Sequence, residues 1–502
     1  MTTIKGLILG SAAGLLAIGG AQAADLPMKA KAVEYVKICS LYGAGFYYIP
    51  GTDTCIKIGG QIRLDTALGG NIYDAPQWQG GASAAQAWSR DYFATRTRVN
   101  LTTDTRTATE YGVLRTYGNV QFDWTRGNSG IAGGAPVEVD YAFIQFAGFT
   151  FGKSVSMFDP QWALAKPYIT SGFNAGSNNA TGIPQLAYTA SFGNGVSGTI
   201  SLEDSQPYRT AGVVNATAGF INIGAGTTLA AGTYGVGNFA GNTAGGDHYP
   251  DIVGNLRLDQ AWGSAFVAAA GHEVHGNYYT TVDSGRPAST YGYAVSGGFE
   301  LKNLPTGAGD SFKMEATYAK GAAKYVWGGT IDTSGAGRFL RTSGNGAGSS
   351  LAFGYVLDGV YTAGSGIDLS TAWDVTAFYE HYWNPAWRTS LYANYTEISY
   401  GAAGNAALIA SLSAGGSSTG TGFITATGGD MKFATYQVGT RTAWTPVKDL
   451  TIAAEFVYSH MNMGLSGTFT NTSAVSGSPA GRVFTLGDQN VYNGAVQISR
   501  SF

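Results

Sequence analysis

Charged residues are scarce in this chain of 502 residues: they make up 12% of it, about half the roughly 25% of an average soluble protein. The formal net charge is only −3, so the charge balance does not indicate a nucleic-acid partner. With two cysteines and five histidines, little material is available for a metal site with several ligands. Beyond the N-terminus, no run of 18 uncharged apolar residues predicts a membrane helix. These shortages argue against soluble α/β enzymes, nucleic-acid-binding proteins and helical membrane proteins.

Glycine and aromatic residues are abundant instead. The chain has 75 Gly, about 15% of its residues where roughly 7% is average, together with 30 Tyr, 24 Phe and 10 Trp. Hydrophobic residues make up 44%, yet the mean hydropathy is −0.01. Apolar and polar residues are therefore finely mixed along the chain, which is not the composition of a disordered protein.

The first 23 residues predict a secretory signal peptide. Lys5 is followed by an uncharged apolar stretch over 6–18, and Ala21-Gln22-Ala23 is the small-residue pattern that signal peptidase cleaves. The alternative, a membrane anchor, is disfavoured because the apolar stretch is too short and too rich in Gly and Ala. We therefore expect an exported protein whose mature chain begins at Ala24.

Cys39 and Cys55 are the only cysteines of the sequence. In an oxidising periplasm they are expected to form a disulfide. The closed segment of 17 residues, counting both cysteines, corresponds to about 3 kcal/mol of loop-closure entropy. A redox or metal-binding pair is the alternative, but no CxxC spacing supports it. We predict a disulfide-stapled N-terminal segment over 24–55.

Apolar and polar residues alternate with a period of two along many stretches. In 56–66, Ile56, Ile58, Ile62 and Leu64 share one parity, and Lys57, Gln61, Arg63 and Asp65 share the other. Similar alternation occurs in 93–102, 112–124, 186–203, 312–318 and 451–459. This period predicts β-strands with one apolar and one polar face.

Connection lengths distinguish a membrane barrel from a β-sandwich, whose strands also alternate. Seven short turns are predicted near 103–106, 147–148, 193–195, 260–264, 302–310, 383–386 and 445–450. Eight long segments rich in Gly, Ser, Thr and Asn alternate with them, near 69–89, 125–136, 157–184, 204–250, 277–288, 328–370, 401–430 and 464–482. Short turns on one side and long loops on the other are typical of outer-membrane barrels. We predict an all-β fold, a 16-stranded antiparallel transmembrane β-barrel over 56–502 with both chain ends on the periplasmic side.

The physical basis of this prediction is that hydrocarbon offers no hydrogen-bond partners to backbone N–H and C=O groups. A sheet that spans the membrane pairs all of these groups only if it closes on itself and leaves no free edge. Sixteen strands enclose a lumen too wide for side chains to fill, so it keeps an aqueous channel. Tryptophans beside the short turns predict a periplasmic aromatic girdle; they are Trp262, Trp383, Trp387 and Trp444.

Three segments resemble the alphaproteobacterial porin family: ADLPMKAKAVEYVKICSLYGAGFYYIPGTDTCIKIGGQIRLD at 24–65, RDYFATRTRVNLTTDTRT at 90–107 and VDYAFIQFAGFTFGKSVSMFD at 139–159. The C-terminal Phe502 resembles the last-strand signal that the barrel-assembly machinery reads, although Arg500 occupies a position expected to be apolar. The resemblance implies a trimeric general porin whose third external loop folds into the lumen. It also implies passive diffusion of small hydrophilic solutes, and it does not fix selectivity.

The pore constriction is expected where the third long loop, near 157–184, faces basic residues of lumen parity. Asp159 and Lys166 are the ionisable residues of this loop. The candidate constriction residues are Arg63, Arg96, Arg98, Arg115 and Asp159, with Lys57 as a weaker candidate. In a narrow pore with low-dielectric walls, such charges focus the field and orient polar solutes. Alternatively, the arginines are solvated lumen residues or pair with Glu110, Asp123 or Asp140, and the sign of any ion preference stays open.

No cofactor or metal site is predicted. His272, Glu273 and His275 suggest metal ligands, but they lie on a predicted strand and match no HExxH helix, which favours a chance occurrence. No Ser/His/Asp grouping stands out, so no enzymatic activity is expected.

The sequence therefore predicts an outer-membrane porin with a water-filled channel for passive diffusion. The expected partners are two further copies in a homotrimer, outer-membrane lipid and lipopolysaccharide, the barrel-assembly machinery, and small solutes and ions. A substrate-specific outer-membrane channel is the alternative within transport. A secreted adhesin or glycan-binding β-protein is the alternative from another class, but a β-solenoid needs a fixed internal repeat, which the irregular loop lengths do not show.

Overall fold

Sixteen antiparallel strands close into a single β-barrel. The computed structural model describes residues 37–69, 93–125, 137–169, 181–204, 211–217, 243–280, 283–327, 337–343, 348–414, 422–472 and 479–502. The barrel strands are β1 Cys55–Leu68, β2 Phe93–Thr109, β3 Gly112–Thr125, β4 Val137–Phe146, β5 Phe149–Ser154, β6 Ile183–Gly193, β7 Val196–Glu203, β8 Asp251–Gln260, β9 Gly263–Val274, β10 Thr290–Lys302, β11 Ser311–Lys320, β12 Thr371–Asn384, β13 Trp387–Ser399, β14 Gly422–Val447, β15 Leu450–Asn471 and β16 Gln489–Ser501. Each strand pairs with the next, and β16 pairs with β1 from Gln61↔Ser501 to Leu68↔Gly494. The predicted 16-stranded antiparallel barrel is confirmed.

The short turns lie where the sequence predicts them, with one exception. Asn194 and Gly195 connect β6 to β7 with positive φ angles of 50° and 75°, the backbone that an Asn-Gly hairpin turn adopts. The first turn, however, is at 110–111 and not at 103–106, because β2 continues to Thr109 and pairs with β3 as far as Thr109↔Gly112 at the short-turn end. The prediction of a turn at 103–106 was therefore wrong.

The outside of the barrel is apolar and its inside is polar. On β1, Ile58 is 55% exposed and Ile62 is 52% exposed, whereas Asp65, of the opposite parity, is 3% exposed. Trp387 and Trp444 stack with ring centroids 5.5 Å apart on neighbouring strands beside the short turns, as the predicted girdle requires. Among the described residues, no helix has the length and apolar character needed to cross a membrane.

The N-terminal segment packs at the short-turn end of the barrel. The predicted disulfide between Cys39 and Cys55 is present, and both cysteines are buried with Phe46. The short strand Tyr47–Tyr48 pairs with the start of β1, and the guanidinium of Arg106 lies 4.9 Å from the Phe46 ring centroid. The signal peptide predicted over 1–23 lies outside the described residues.

Several additional elements from the long loops pack inside and above the outer half of the barrel. They are the short strands Gly212–Asn215, Gly337–Thr342, Asp368–Leu369 and Val483–Leu486, the longer strand Ser350–Tyr361, the 3-10 helix Ala323–Tyr325 and helix α1 Ala402–Ala414. Ser350–Tyr361 is buried along its length from Leu351 onwards. It pairs in parallel with Gly212–Asn215 and with Val483–Leu486, so one buried strand joins segments from three loops.

A hydrophobic core forms where these elements meet the barrel wall. The wall contributes small buried side chains, namely Ala268, Ala270, Ala294, Ala319 and Ala372. The inward elements contribute large ones, including Tyr325 and Trp327, which are 0% exposed. At Gly354, an added Cβ would lie 2.4 Å from the Phe433 ring, so the inward strand needs glycine to approach β14. Small wall residues thus leave the space that the inward aromatics fill.

Candidate functional site

Three arginines and two aspartates form a ladder on the lumen face of β1, β2 and β3. Arg63 Nε lies 2.9 Å from Asp65 Oδ2, and Arg96 Nη2 lies 2.9 Å from the same oxygen. Arg98 binds Asp123 through two bonds of 2.6 and 2.5 Å, a bidentate pairing that fixes the guanidinium plane. Arg96 also lies 4.0 Å from Asp123, which links both pairs into one network.

Strand register explains why this ladder forms. Asp65 lies directly opposite Arg96 across the β1–β2 pair, and Arg98 lies directly opposite Asp123 across the β2–β3 pair. Opposite charges at such cross-strand positions attract and hold each other in register. The pairing of an arginine with Asp123, which the sequence offered as an alternative, is therefore present. Asp65 is not among the acidic partners proposed from the sequence, although its lumen parity could have indicated it.

Arg115 belongs to a second network nearer the short-turn end. Arg106 and Arg115 lie opposite each other on β2 and β3, and each places Nη2 2.9 Å from Asp104 Oδ2. Arg115 also donates to Gln145 Oε1 on β4 at 3.0 Å. Lys57 lies opposite Asp104 across the β1–β2 pair, with its aliphatic stem against Gly45 of the N-terminal segment. A shared carboxylate thus allows two like charges to face each other.

The third loop folds into the lumen and docks on the opposite wall. Directly after β5, Ser156 Oγ donates to Glu203 Oε2 at 2.7 Å and the Met157 N–H donates to Glu203 Oε1 at 2.8 Å. Asn255 on β8 donates to the Met157 carbonyl at 2.5 Å. Because β8 is seven strands from β1 in a ring of sixteen, the loop faces the arginine ladder across the lumen.

Asp159 lies on this loop against β8. Its side chain is buried, and Arg257 Nη2 donates to its backbone carbonyl at 2.6 Å. The Asp159 N–H donates to the Ser156 carbonyl at 3.1 Å, which closes a tight turn at the start of the loop. The structure therefore places Asp159 with Arg257 on the side of the lumen where the third loop contacts β8. The four predicted arginines lie on β1, β2 and β3, on the other side of the lumen.

Further along, the loop continues around the inner wall. Lys166 Nζ lies 3.3 Å from Glu315 Oε1 on β11, and both side chains are almost fully buried. Burial lowers the pKa of Lys166, but the charge of Glu315, the hydrogen bond to it and the nearby Tyr168 and Asp159 together raise the pKa above its ordinary value. Lys313 donates to the Ala165 carbonyl at 2.8 Å, and the Ile169 N–H donates to Glu455 on β15 at 2.5 Å. Charged contacts thus hold the loop from β7 to β15.

A second inward element, which the sequence does not predict, narrows the outer lumen. Lys324 Nζ lies 2.9 Å from Asp251 Oδ2 on β8, and Tyr325 donates to the same oxygen at 2.6 Å. His272 on β9 bridges Asp251 at 2.7 Å and Asp358 of the inward strand at 3.4 Å. Burial and the Asp251 charge raise the pKa of Tyr325 well above its ordinary value, so its hydroxyl stays a donor. This buried cluster fixes the 3-10 helix to the barrel wall.

The near-continuous apolar run from Leu351 to Leu357 is the sequence signal for this element. Strands buried on both faces lose the alternation of half-exposed strands. Asp251 and His272 meet across the β8–β9 hairpin, whereas Lys324 and Asp358 come from distant segments, and no local pattern brings those two to the pair.

The C-terminal Phe502 completes the seam of the barrel. Its N–H donates to the Gly60 carbonyl at 3.0 Å, and the Gly60 N–H donates to its carbonyl at 3.1 Å. Phe502 is 60% exposed on the lipid-facing side, together with Tyr492, Val496 and Ile498. Arg500 reaches back to the Lys448 carbonyl and to Asp449 at the neighbouring short turn, so its charge lies at the barrel rim.

A closed sixteen-stranded barrel with an apolar exterior, a charged lumen and an inward-folded third loop is the architecture of outer-membrane barrels of the porin class. The family model described as Porin subfamily matches residues 25–494. The chain therefore belongs to this porin family, whose alphaproteobacterial members include the relatives below, and its location is the outer membrane.

Curated relatives include Porin Omp2b of Brucella suis biovar 1, which is 32% identical over 269 residues. Porin Omp2b of Brucella melitensis biotype 1 is 32% identical over 274 residues. Each match covers 52% of this chain and 64% of the relative, so it spans less than two thirds of the relatives' own length. Among solved structures, the outer membrane channel DcaP of Acinetobacter baumannii matches with a TM-score of 0.55 and 14% identity, over 91% of this chain and 99% of that chain. That likeness supports the fold alone.

Proposed function

We propose that this protein forms a water-filled channel for the passive diffusion of small hydrophilic solutes and ions across the outer membrane. The observation that carries the proposal is a closed polar lumen in which an inward loop on β7–β15 faces the arginine–aspartate ladder on β1–β3. Because the barrel interior is lined with charged and polar groups, hydrated solutes keep hydrogen-bond partners during passage. The family assignment fits a transport channel and not an enzyme.

The narrowest point is proposed to lie between Asp159 on the loop side and Arg63, Arg96, Arg98 and Arg115 on the ladder side. The ladder holds three arginines against two aspartates, and its excess positive charge produces a field across the lumen, which low-dielectric walls concentrate. This field orients dipolar solutes and disfavours apolar ones, since an apolar solute would displace water without replacing its contacts. Diffusion through such a pore requires no conformational cycle and no energy input.

The chain organisation and the partners form part of the same proposal. A signal peptide over 1–23 precedes a stapled segment over 24–55 and the barrel over 56–502, so N-terminal sequencing of the exported protein should begin at Ala24. Family membership supports a homotrimer in contact with lipopolysaccharide, and exposed Phe502 suits recognition by the barrel-assembly machinery. Chemical crosslinking in native outer membranes should yield a three-chain product.

A substrate-selective channel is the second candidate. The buried strand Ser350–Tyr361 and the 3-10 helix Ala323–Tyr325 occupy outer lumen space that the third loop alone leaves open. A lumen narrowed by two inward elements favours selection among solutes more than a lumen narrowed by one.

Liposome swelling with uncharged sugars of increasing size separates the two candidates. A general channel should show rates that fall smoothly with solute size and rise linearly with concentration. Saturation by one solute, with exclusion of others of equal size, would replace the first candidate by the second. Protein-containing liposomes that swell no faster than liposomes with heat-denatured protein would refute both.

A further inference from the structure

Three side chains of the type that bind metal ions meet at the outer end of β9. His248, Glu273 and His275 each offer one ligand atom, and these atoms lie within 4.8 Å of one another. Glu273 and His275 are 6% exposed, whereas the His248 side chain is 49% exposed. Within the ranges that the structure describes, this is the one group of three such residues at this spacing. The cluster lies outside the arginine ladder and away from the third loop.

Backbone hydrogen bonds hold the two segments that carry these residues side by side. The Gly245 N–H donates to the His275 carbonyl at 2.8 Å, and the Asn277 N–H donates to the Thr243 carbonyl at 2.9 Å. The His248 N–H then donates to Glu273 Oε2 at 3.0 Å, which places the His248 ring beside the carboxylate. The His248 and His275 rings meet edge to face, with centroids 4.2 Å apart. The three groups are therefore assembled by main-chain pairing.

The spacing suits a tetrahedral ion. Ligand atoms bound at about 2.0–2.1 Å in a tetrahedron lie about 3.4 Å apart. His248 Nδ1 and Glu273 Oε1 already lie 3.3 Å apart. His275 Nδ1 lies 2.7 Å from Ser289 Oγ, a contact that orients the ring and leaves Nε2 for the ion, as the outer contacts of metal-bound histidines do. The ligand atoms lie up to 4.8 Å apart, so the widest pair must close by about 1.4 Å to complete the tetrahedral set.

We propose that His248, Glu273 and His275 form a binding site for a first-row transition-metal cation, with zinc as the best-suited ion. Two imidazole nitrogens and one carboxylate oxygen are ligands that zinc prefers, and water would complete a four-coordinate site. Magnesium and calcium, which prefer oxygen ligands, are disfavoured. The bound ion would tie the external segment 243–248 to the end of β9.

Titration calorimetry of the folded protein in detergent with zinc chloride tests this site, with magnesium chloride as the comparison ion. We expect saturation at one zinc per chain and no heat of binding with magnesium. His248→Ala should weaken zinc binding by at least about tenfold, and Ser289→Ala should weaken it less, because it removes only an orienting contact. His460→Ala serves as the matched control and should leave the zinc affinity unchanged, since His460 lies on β15 beside Asn490.

Absence of a saturable zinc isotherm, or the same affinity in His248→Ala as in the parent protein, overturns the proposal. His248 is half exposed on an external segment, so its replacement cannot prevent barrel closure. A resistance-to-denaturation gel on every variant confirms the folded barrel. Glu273→Gln, which keeps the size of the side chain and removes its charge, must also weaken binding if the carboxylate is a ligand.

Discussion

Replacing Arg96 and Arg98 together by alanine is expected to move the ion preference of the channel toward cations. Both guanidiniums belong to the lumen ladder, where they face Asp65 and Asp123. Their loss removes two positive charges and leaves both carboxylates in place with Arg63. The local lumen therefore becomes more negative by two units.

The size of the effect follows from Coulomb's law with screening. An ion about 8 Å from one such charge in water interacts with it by about 0.5 kcal/mol. At 0.1 M salt the Debye length is about 10 Å, which roughly halves this energy. Two charges then favour a cation by about 0.5 kcal/mol and disfavour an anion equally. The cation-to-anion permeability ratio should rise about fivefold.

Planar-bilayer recordings under a salt gradient measure this ratio as the reversal potential. The double lysine variant, Arg96→Lys with Arg98→Lys, keeps both charges and should leave the potential near that of the parent protein. Adding Asp65→Asn and Asp123→Asn to the alanine variant should reverse most of the shift. An unchanged potential in the alanine variant, or an equal shift in the lysine variant, would show that the ladder does not line the narrowest part of the pore.

Four further perturbations test the stapled segment and the two inward elements. Cys39→Ser with Cys55→Ser should lower the local stability of the N-terminal segment by up to about 3 kcal/mol, seen as faster proteolysis within 37–54 while the barrel melting temperature stays constant. Lys166→Met should leave Glu315 buried without its cation, at a cost of about 3–5 kcal/mol, and should give a larger, noisier conductance, whereas Lys166→Arg should behave as the parent. Burial lowers the pKa of Lys166, but Glu315, Tyr168 and Asp159 together raise it above the ordinary lysine value, so this ion pair should be intact up to that ordinary value and weaken only as the pH rises through the raised pKa. Conductance should therefore stay constant from neutral to mildly alkaline pH. Trp327→Ala should leave a cavity against Phe433, cost about 3–5 kcal/mol and loosen the second inward element; unchanged current noise would contradict its proposed role in narrowing the lumen.

Strand number and lumen parity could be predicted because both depend on short-range patterns. A period of two and the turn chemistry of Asn194-Gly195 act within a few residues of the chain. The same chemistry was misleading at 103–106, where Thr and Asp residues suggested a turn. There, Asp104 accepts from Arg106 on the same strand and from Arg115 on β3, and the cross-strand contact with Arg115 favours continuation of the strand.

The filling of the lumen could not be predicted because it depends on contacts between distant residues. Asp251 and His272 meet across the β8–β9 hairpin, but Asp358 joins them only when the inward strand enters the barrel. The segments 328–370 and 401–430 were interpreted as long external loops from their Gly, Ser and Thr content. Helix α1 over Ala402–Ala414 and the buried strand Ser350–Tyr361 form within them because the barrel supplies an apolar surface to pack on.

The parallel pairing of Ser350–Tyr361 imposes an order on biogenesis. Its neighbours, Gly212–Asn215 and Val483–Leu486, are made hundreds of residues apart, and the second of them directly precedes β16. Interior packing can thus finish only once the last hairpin has been delivered to the membrane. The outer half of the barrel is therefore fully packed only when the segment just before β16 is present, because that segment supplies one of the two strands that flank Ser350–Tyr361.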